Sequence, residues 1–384
     1  MFHLPRWWPR GGIAFLVHPP NEYHIFTPLP FLRYLPREWV REIVKRLPPY
    51  RLGRLMVRRP HGMTVPGRLL TITIAPEHLE GGKGRISRPE AIRHVRREVR
   101  LAQRWGATIV GLGAYLPPFT RQGVTLLEEA KNLGVSLTTG HACTAYMIRE
   151  YLYQLAERLD INLKREVVAI VGAAGSTGSI VARLLAHEGR VRRLLLIDLP
   201  QKEGVLESLA KECNGKTSTD LSALPTASVI ITVTTAPGSI ITPEHLGSSV
   251  VIIDDSKPRN TSLEVLRPAI ECGQLLVVDV LAEVPGLEVT YHYDLDFARP
   301  EITYTCLAEV CTLYLTGWRG NYSLGDISVP QVLKVGEMTQ GAGIRPAPLI
   351  SFTRPMDEEE IERFLAHRRE VLPQIRPRLE LVVG

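Results

Sequence analysis

The chain has 384 residues, is 45% hydrophobic and 22% charged, and carries a formal net charge of +6. That length accommodates two domains with real cores, and a modest, dispersed positive charge suits acidic small molecules or an acidic carrier but falls short of a nucleic-acid binder. The five cysteines lack C-x-x-C spacing, which predicts neither a disulfide framework nor a metal site, and no apolar run approaches the ~18 residues of a membrane span, so a cytoplasmic protein is expected.

Taken in order, Ile13 to Val17 reads as a strand and Pro36 to Leu47 as a helix. Leu69 to Ile74 is a β-branched strand, followed by Pro76 and a glycine turn at Gly81. Ser87, Pro89 and Glu90 form a capping-box start to a helix reaching about Trp105. That helix carries Arg88, Arg93, Arg96, Arg97, Arg100 and Arg104, either a solvated face or a docking surface for an acidic partner. Ala107 to Gly113 is a short buried strand, and the loop Tyr115 to Phe119 after it delivers residues to a cleft. A helix near Val124 to Leu133 and a strand at Val135 to Leu137 lead to Thr138-Thr-Gly-His-Ala-Cys-Thr-Ala-Tyr146 and a helix from Ala145 to Leu159. Hydroxyls, His141 and Cys143 thus gather at a helix start. They are caps and a hydrogen-bonded structural histidine on one reading, and a catalytic cluster with Thr139 and His141 on the other.

The most informative stretch is Val167 to Gly178, V-V-A-I-V-G-A-A-G-S-T-G. An apolar strand runs into Gly172, Gly175 and Gly178, and helical spacing resumes at Ser179, the order of a dinucleotide-binding unit. Gly172 permits the tight turn, Gly175 the approach of a pyrophosphate, and Gly178 close packing of helix on strand. Ser176 and Thr177 fall in the phosphate-facing turn, at a helix N-terminus that favours anions. Asp198 ends the next strand, twenty residues after Gly178, where a carboxylate accepts hydrogen bonds from both ribose hydroxyls and repels a 2′-phosphate. NAD(H) is therefore the expected cofactor. NADP(H) stays admissible because Lys202 is close enough in sequence to offset the charge.

Further apolar strands at Ser228 to Val233, Val250 to Ile253 and Leu275 to Val278 alternate with helices near 202–213 and 262–272. This predicts an α/β protein with a doubly wound Rossmann domain over about 161–290. Thr234 and Thr235 follow the fourth strand, at the expected cofactor crevice. Asp254-Asp-Ser-Lys-Pro-Arg259 follows the fifth and either faces the nicotinamide or is a polar connection.

After Tyr291 the pattern changes. Phe297 to Cys306 enters a helix expected from Pro300 to about Thr316, then comes a turn-rich loop to Tyr322 and a charged amphipathic helix near Met356 to Val371. Residues 1–160 and 291–384 are expected to form one catalytic or substrate domain, a second α/β unit around the central one. Cys306 is a candidate nucleophile because a helix start lowers a thiol pKa; the alternative is a small buried hydrophobe. Cys143 is the second candidate. Cys311 lies about 140° further round the helix and reads as core; Cys213 and Cys272 read as inert.

At Thr138 to Tyr146, the three glycines, and Ala298-Arg-Pro-Glu through Thr305-Cys-Leu-Ala-Glu309 to Gly317-Trp318, the chain resembles the aldehyde-forming long-chain acyl-(acyl carrier protein) reductases. The likeness spans nearly the whole chain, including Gly67-Arg68 and Leu112-Gly113. It implies a cytosolic enzyme with a Rossmann domain between terminal segments, acting on fatty acyl thioesters of acyl carrier protein or coenzyme A. The resemblance matches Cys306 to the family cysteine, which takes the acyl group as a thioester before hydride from a nicotinamide releases the aldehyde. Thr139 or His141 is then placed to donate to the developing oxyanion.

The chain also departs from that family. Asp198-Leu199 stands where the family has an arginine and uses NADPH, His141-Ala142-Cys143 replaces Asn-Thr-His, and Tyr115-Leu-Pro-Pro118 differs. Two other readings are a dehydrogenase of the shikimate or amino-acid type, with Lys257 or Asp255 as acid/base, and a nucleotide-binding sensor without turnover. A homo-oligomer is admitted by all three.

Overall fold

Two six-stranded sheets, each built from a different part of the chain, organise the computed structural model. It describes residues 11–19, 21–26, 29–59, 62, 64–75, 78–79, 85–236, 238–291 and 299–381. The expected turn at Pro76 and Gly81, together with Phe297 and Ala298, lies outside them.

The first stretch folds as β1 (Ile13–Val17), α1 (Glu22–Phe26), α2 (Arg37–Val44), β2 (Tyr50–Arg58) and β3 (Thr64–Thr71). It continues through α3 (Arg88–Arg104), β4 (Ile109–Leu112), α4 (Leu116–Phe119), α5 (Leu127–Leu133), β5 (Ser136–Thr138) and α6 (His141–Arg158). The second runs β6 (Val168–Val171), α7 (Ser176–Glu188), β7 (Leu194–Ile197), α8 (Glu203–Cys213), β8 (Lys216–Ser218), β9 (Val229–Thr232), β10 (Val250–Asp254), α9 (Leu263–Glu271) and β11 (Leu275–Asp279). The third adds β12 (Leu281–Glu283), β13 (Leu287–Tyr291), β14 (Ile302–Tyr304), α10 (Thr305–Leu315) and α11 (Val329–Gly341). After β15 (Arg345–Pro346), β16 (Ile350–Ser351) and β17 (Arg354–Pro355) comes α12 (Glu358–Leu381).

The second stretch makes an all-parallel sheet in the order β11-β10-β9-β6-β7-β8. Its strands β6, β7, β9 and β10 are buried along their whole length, as expected where helices cover both faces. The order reverses between β6 and β9, the switch point where such sheets open a ligand crevice. The first sheet, β13-β2-β3-β1-β4-β5, has a parallel half, β3-β1-β4-β5, and two antiparallel strands at its far edge.

That edge corrects the expected boundary at residue 290. β13 pairs with β2, Leu287 opposite Val57, so these residues belong to the first sheet. α10 packs against α6, β4 and β1, and α6 in turn lies against α7 of the nucleotide sheet. One apolar core therefore continues from the first sheet through α6 and α10 into the second.

The helix expected from Pro300 begins at Thr305. Ile302, Thr303 and Tyr304 favour extended backbone, and β14 finds a partner in β12. The helix expected from Ala145 begins at His141, directly after Gly140 in the left-handed region at φ +82. Leu116–Phe119 is a short helix where a loop was expected.

At α3 the capping box is present as read: Ser87 accepts from Glu90 N–H, and the Glu90 carboxylate accepts from Ser87 N–H at 2.8 Å. Arginines of this row tie the helix to neighbouring elements. Arg88 donates to the carbonyls of Pro118 at 2.8 Å and Phe119 at 3.0 Å, and Arg100 pairs with Glu129 at 2.6 Å.

Candidate active site

The glycine turn is built as a cradle. Gly172 has φ +89, and a Cβ there would lie 2.9 Å from the Thr234 methyl and 3.0 Å from the Val233 carbonyl. A Cβ on Gly178 would lie 2.7 Å from Ala173 Cα and closer still to the Gly172 oxygen, so turn and helix close only over a glycine. Gly175 caps α7 in extended conformation, and among the described residues no side chain caps the first N–H groups of that helix. Ser176, Thr177 and Gly178 thus offer unclaimed donors, an arrangement that fits a dinucleotide pyrophosphate.

Asp198 folds back onto this turn. It accepts from Ala174 N–H at 3.0 Å and Leu199 N–H at 2.9 Å, and Lys202 Nζ stands 3.3 Å away. The cation named in the sequence therefore does reach the carboxylate. Thr234 donates its N–H to Ser256 at 3.1 Å and its hydroxyl to Asn260 at 2.7 Å, which locks the crevice loop. The Thr235 carbonyl accepts from the Tyr115 hydroxyl, a bond that crosses from the first sheet to the second.

Cys306 is the second residue of α10, after the extended Tyr304, and is half-buried. Gly140 lies against it: a Cβ on Gly140 would be 2.9 Å from the Cys306 carbonyl oxygen and closer still to its Cα and Cβ. From the nucleotide sheet, the loop after β10 brings Asp255 and Lys257. Lys257 Nζ sits 5.6 Å over the Tyr304 ring.

Burial pushes the Cys306 thiol up to about 12. The nearby Asp255 charge acts in the same direction, while the Leu307 and Cys306 N–H groups and Lys257 oppose it. The expectation that the helix start lowers this thiol is overturned, because desolvation outweighs the dipole. Desolvation, with a contribution from Asp254, raises Asp255 to about 7, against the pull of Lys257. Asp254 is itself fixed by Thr232 at 2.8 Å, Ser256 N–H at 2.9 Å and Thr261 at 2.7 Å, which sets the path of this loop.

Thr139 and His141 have other partners. The Thr139 hydroxyl is hydrogen-bonded to His141 Nδ1 and donates to the Ser323 carbonyl at 2.5 Å. Burial lowers His141 to about 4, with the Gly325 carbonyl and Asp326 pulling the other way, so the ring is neutral at pH 7. The structure thus groups Cys306, Gly140, Asp255 and Lys257, and holds Thr139 and His141 against residues 323–326.

Cys143 is buried, and desolvation drives its thiol well above the ordinary range. The same cause lifts Cys311 to about 12 and Cys213 to about 11. Cys272 is exposed. Sequence reasoning singled out Asp255 and Lys257 only for a different reaction. It also passed over Glu309, whose signal was a carboxylate in an otherwise apolar helix.

No protein-family model matches the chain. It is 29% identical over 319 residues to the long-chain acyl-[acyl-carrier-protein] reductase of Synechococcus elongatus, covering 79% of this chain and 89% of that one. It is 28% identical over 270 residues to the aminotransferase PigE of a Serratia strain, covering 67% of this chain but only 30% of that longer protein. Among solved structures, the L-tryptophan dehydrogenase of Nostoc punctiforme aligns over 95% of this chain and 90% of its own, at 13% identity and TM-score 0.40. The D-lactate dehydrogenase of Lactobacillus jensenii with NAD+ aligns over 88% and 99%, at 11% identity and TM-score 0.32. The chain is a distant relative of the Synechococcus elongatus reductase, with an α/β fold built on a doubly wound parallel sheet.

Proposed function

We propose that this protein reduces a fatty acyl thioester, carried by acyl carrier protein or coenzyme A, to an aldehyde through a thioester on Cys306. The observation that carries the reading is that the loop after β10 of the nucleotide sheet, with Asp255 and Lys257, reaches the start of α10, where Lys257 Nζ lies 5.6 Å over the ring of Tyr304, two residues before Cys306. The distant relationship to a long-chain acyl-[acyl-carrier-protein] reductase supports the substrate class.

A thiol raised to about 12 is almost wholly protonated at pH 7, so it needs a base. Asp255, raised to about 7, is half ionised there and poised to accept the proton. Sγ then attacks the acyl carbonyl, the carbonyl–sulfur bond to the carrier breaks, and the carrier thiolate leaves with the proton held by Asp255. The N–H groups of Cys306 and Leu307, already turned to the sulfur, are assigned as donors to the developing oxyanion. Thr139 and His141 are engaged with each other and with Ser323, which leaves them a supporting role. The Gly172–Gly178 turn would hold a nicotinamide dinucleotide, which would supply the hydride needed to release the aldehyde. Lys257 steadies the charge on the Cys306 sulfur as it leaves.

NAD(H) is the preferred cofactor, with NADP(H) weaker, because Asp198 places a carboxylate beside the glycine turn, where it would repel a 2′-phosphate. The test is incubation of the protein with a long-chain acyl thioester and NADH or NADPH. Stoichiometric appearance of fatty aldehyde supports the reading. Turnover of a hydroxy or amino acid instead would assign Asp255 and Lys257 to a non-covalent dehydrogenase.

A further inference from the structure

The structure assigns Glu309 as the positioning residue of this site, anchoring the Thr138–Gly140 turn and the start of α6 so that Gly140 is held against Cys306. The inference rests on the reading above for the reaction it serves.

Glu309 lies one turn along α10 from Cys306 and is fully buried, among Leu307, Ala308, Val310 and Leu313. No salt bridge reaches it among the described residues. A carboxylate taken out of water without a cation must be held by hydrogen bonds. Here one oxygen accepts from the Thr138 hydroxyl and the other from Cys143 N–H at 2.8 Å. The Gly140 N–H and the Ser323 hydroxyl also act on it.

These donors come from the end of β5, the first turn of α6 and the 320–323 loop, all gathered by one side chain on the helix that bears Cys306. A second strap lies beside it, Thr144 to Thr305, hydroxyl to hydroxyl at 2.7 Å. Leucine would fill the same volume and suit the helix better. What leucine cannot do is fix the height of Gly140 over Cys306.

The test compares Glu309→Gln with Glu309→Leu in the full chain, using long-chain acyl-coenzyme A and, separately, iodoacetamide with peptide mass spectrometry. Glutamine keeps one oxygen for Cys143 N–H and can turn its amide to the Thr138 oxygen, so it should hold kcat within about threefold. Leucine should lower kcat about 100-fold with KM and dinucleotide affinity within about threefold, the signature of misplaced reacting atoms. It should also change the alkylation rate of Cys306 about tenfold while that of exposed Cys272 stays the same. If the leucine variant does not fold, Thr138→Val removes one donor and should lower kcat about tenfold. A leucine variant with wild-type kcat and Cys306 alkylation overturns the proposal, as does a glutamine variant as impaired as leucine. If the wild type forms no acyl adduct, the reaction reading fails, and the alkylation comparison alone decides the role of Glu309.

Discussion

Gly140 and Cys306 meet backbone to backbone: the glycine sits at φ +82, and the space its Cβ would need is taken by the Cα, Cβ and carbonyl oxygen of the cysteine. The starts of two helices, α10 one residue before the cysteine and α6 one residue after the glycine, thus meet at this contact. Gly140→Ala must force both a strained backbone and a separation of these helices. It is expected to cost about 2–4 kcal/mol, from left-handed strain plus overpacking. Calorimetry should record the lowered Tm, and acyl transfer to Cys306 should fall at least ~100-fold.

In the proposed reaction, Asp255 is expected to make acyl transfer pH-dependent. Its carboxyl sits at about 7 in the folded protein against an ordinary 3.8, so the base form grows as pH rises through 7. Wild-type acylation should increase through that value and level off above it. Asp255→Asn should abolish the inflection and lower the rate at pH 8 about 100-fold or more.

The same raised pKa has a stability consequence of defined sign. Folding favours the protonated carboxyl, so its contribution is fully present below about 4 and is lost as pH rises towards 7. Asp255→Asn should therefore be more stable than wild type at pH 8, and the gap should close at pH 4. Denaturant midpoints at the two pH values measure this.

Gly178→Ala should remove dinucleotide binding while leaving the first sheet folded, because the added methyl falls on Gly172 and Ala173 in the turn itself. Titration with NADH should show at least ~100-fold weaker binding. For cofactor choice, Asp198→Ala with Leu199→Arg should move preference towards NADPH by about 30-fold or more. Tighter NADPH than NADH binding in the wild type would show that the Lys202 contact neutralises Asp198.

Much of the nucleotide sheet was legible because its strands are short apolar runs separated by helices, and local pattern suffices for them. The Ser87–Glu90 capping box was legible for the same reason, both partners lying within one turn. β13 was not, since Leu287–Tyr291 finds its partner at Tyr50–Arg58, more than 200 residues away. The start of α10 was misplaced because Pro300 suggests a first turn, whereas pairing of β14 with β12 holds Ile302–Tyr304 extended. At the site, Cys306 and the glycine turn could be named from residue type and spacing. The ionisation of Cys306 and Asp255 could not, because it depends on how much water the two sheets exclude between them. The roles of Thr139 and His141 depended on residues 323–326, which no local pattern places beside them.

Intact-protein and peptide mass spectrometry after incubation with a long-chain acyl thioester, without any dinucleotide, tests the central claim most directly. The account predicts one acyl group, on Cys306, that NADH discharges as aldehyde, and no adduct in Cys306→Ala. An unmodified Cys306 under conditions where the protein turns over thioester with NADH, or an acyl group on Cys143 instead, would contradict it.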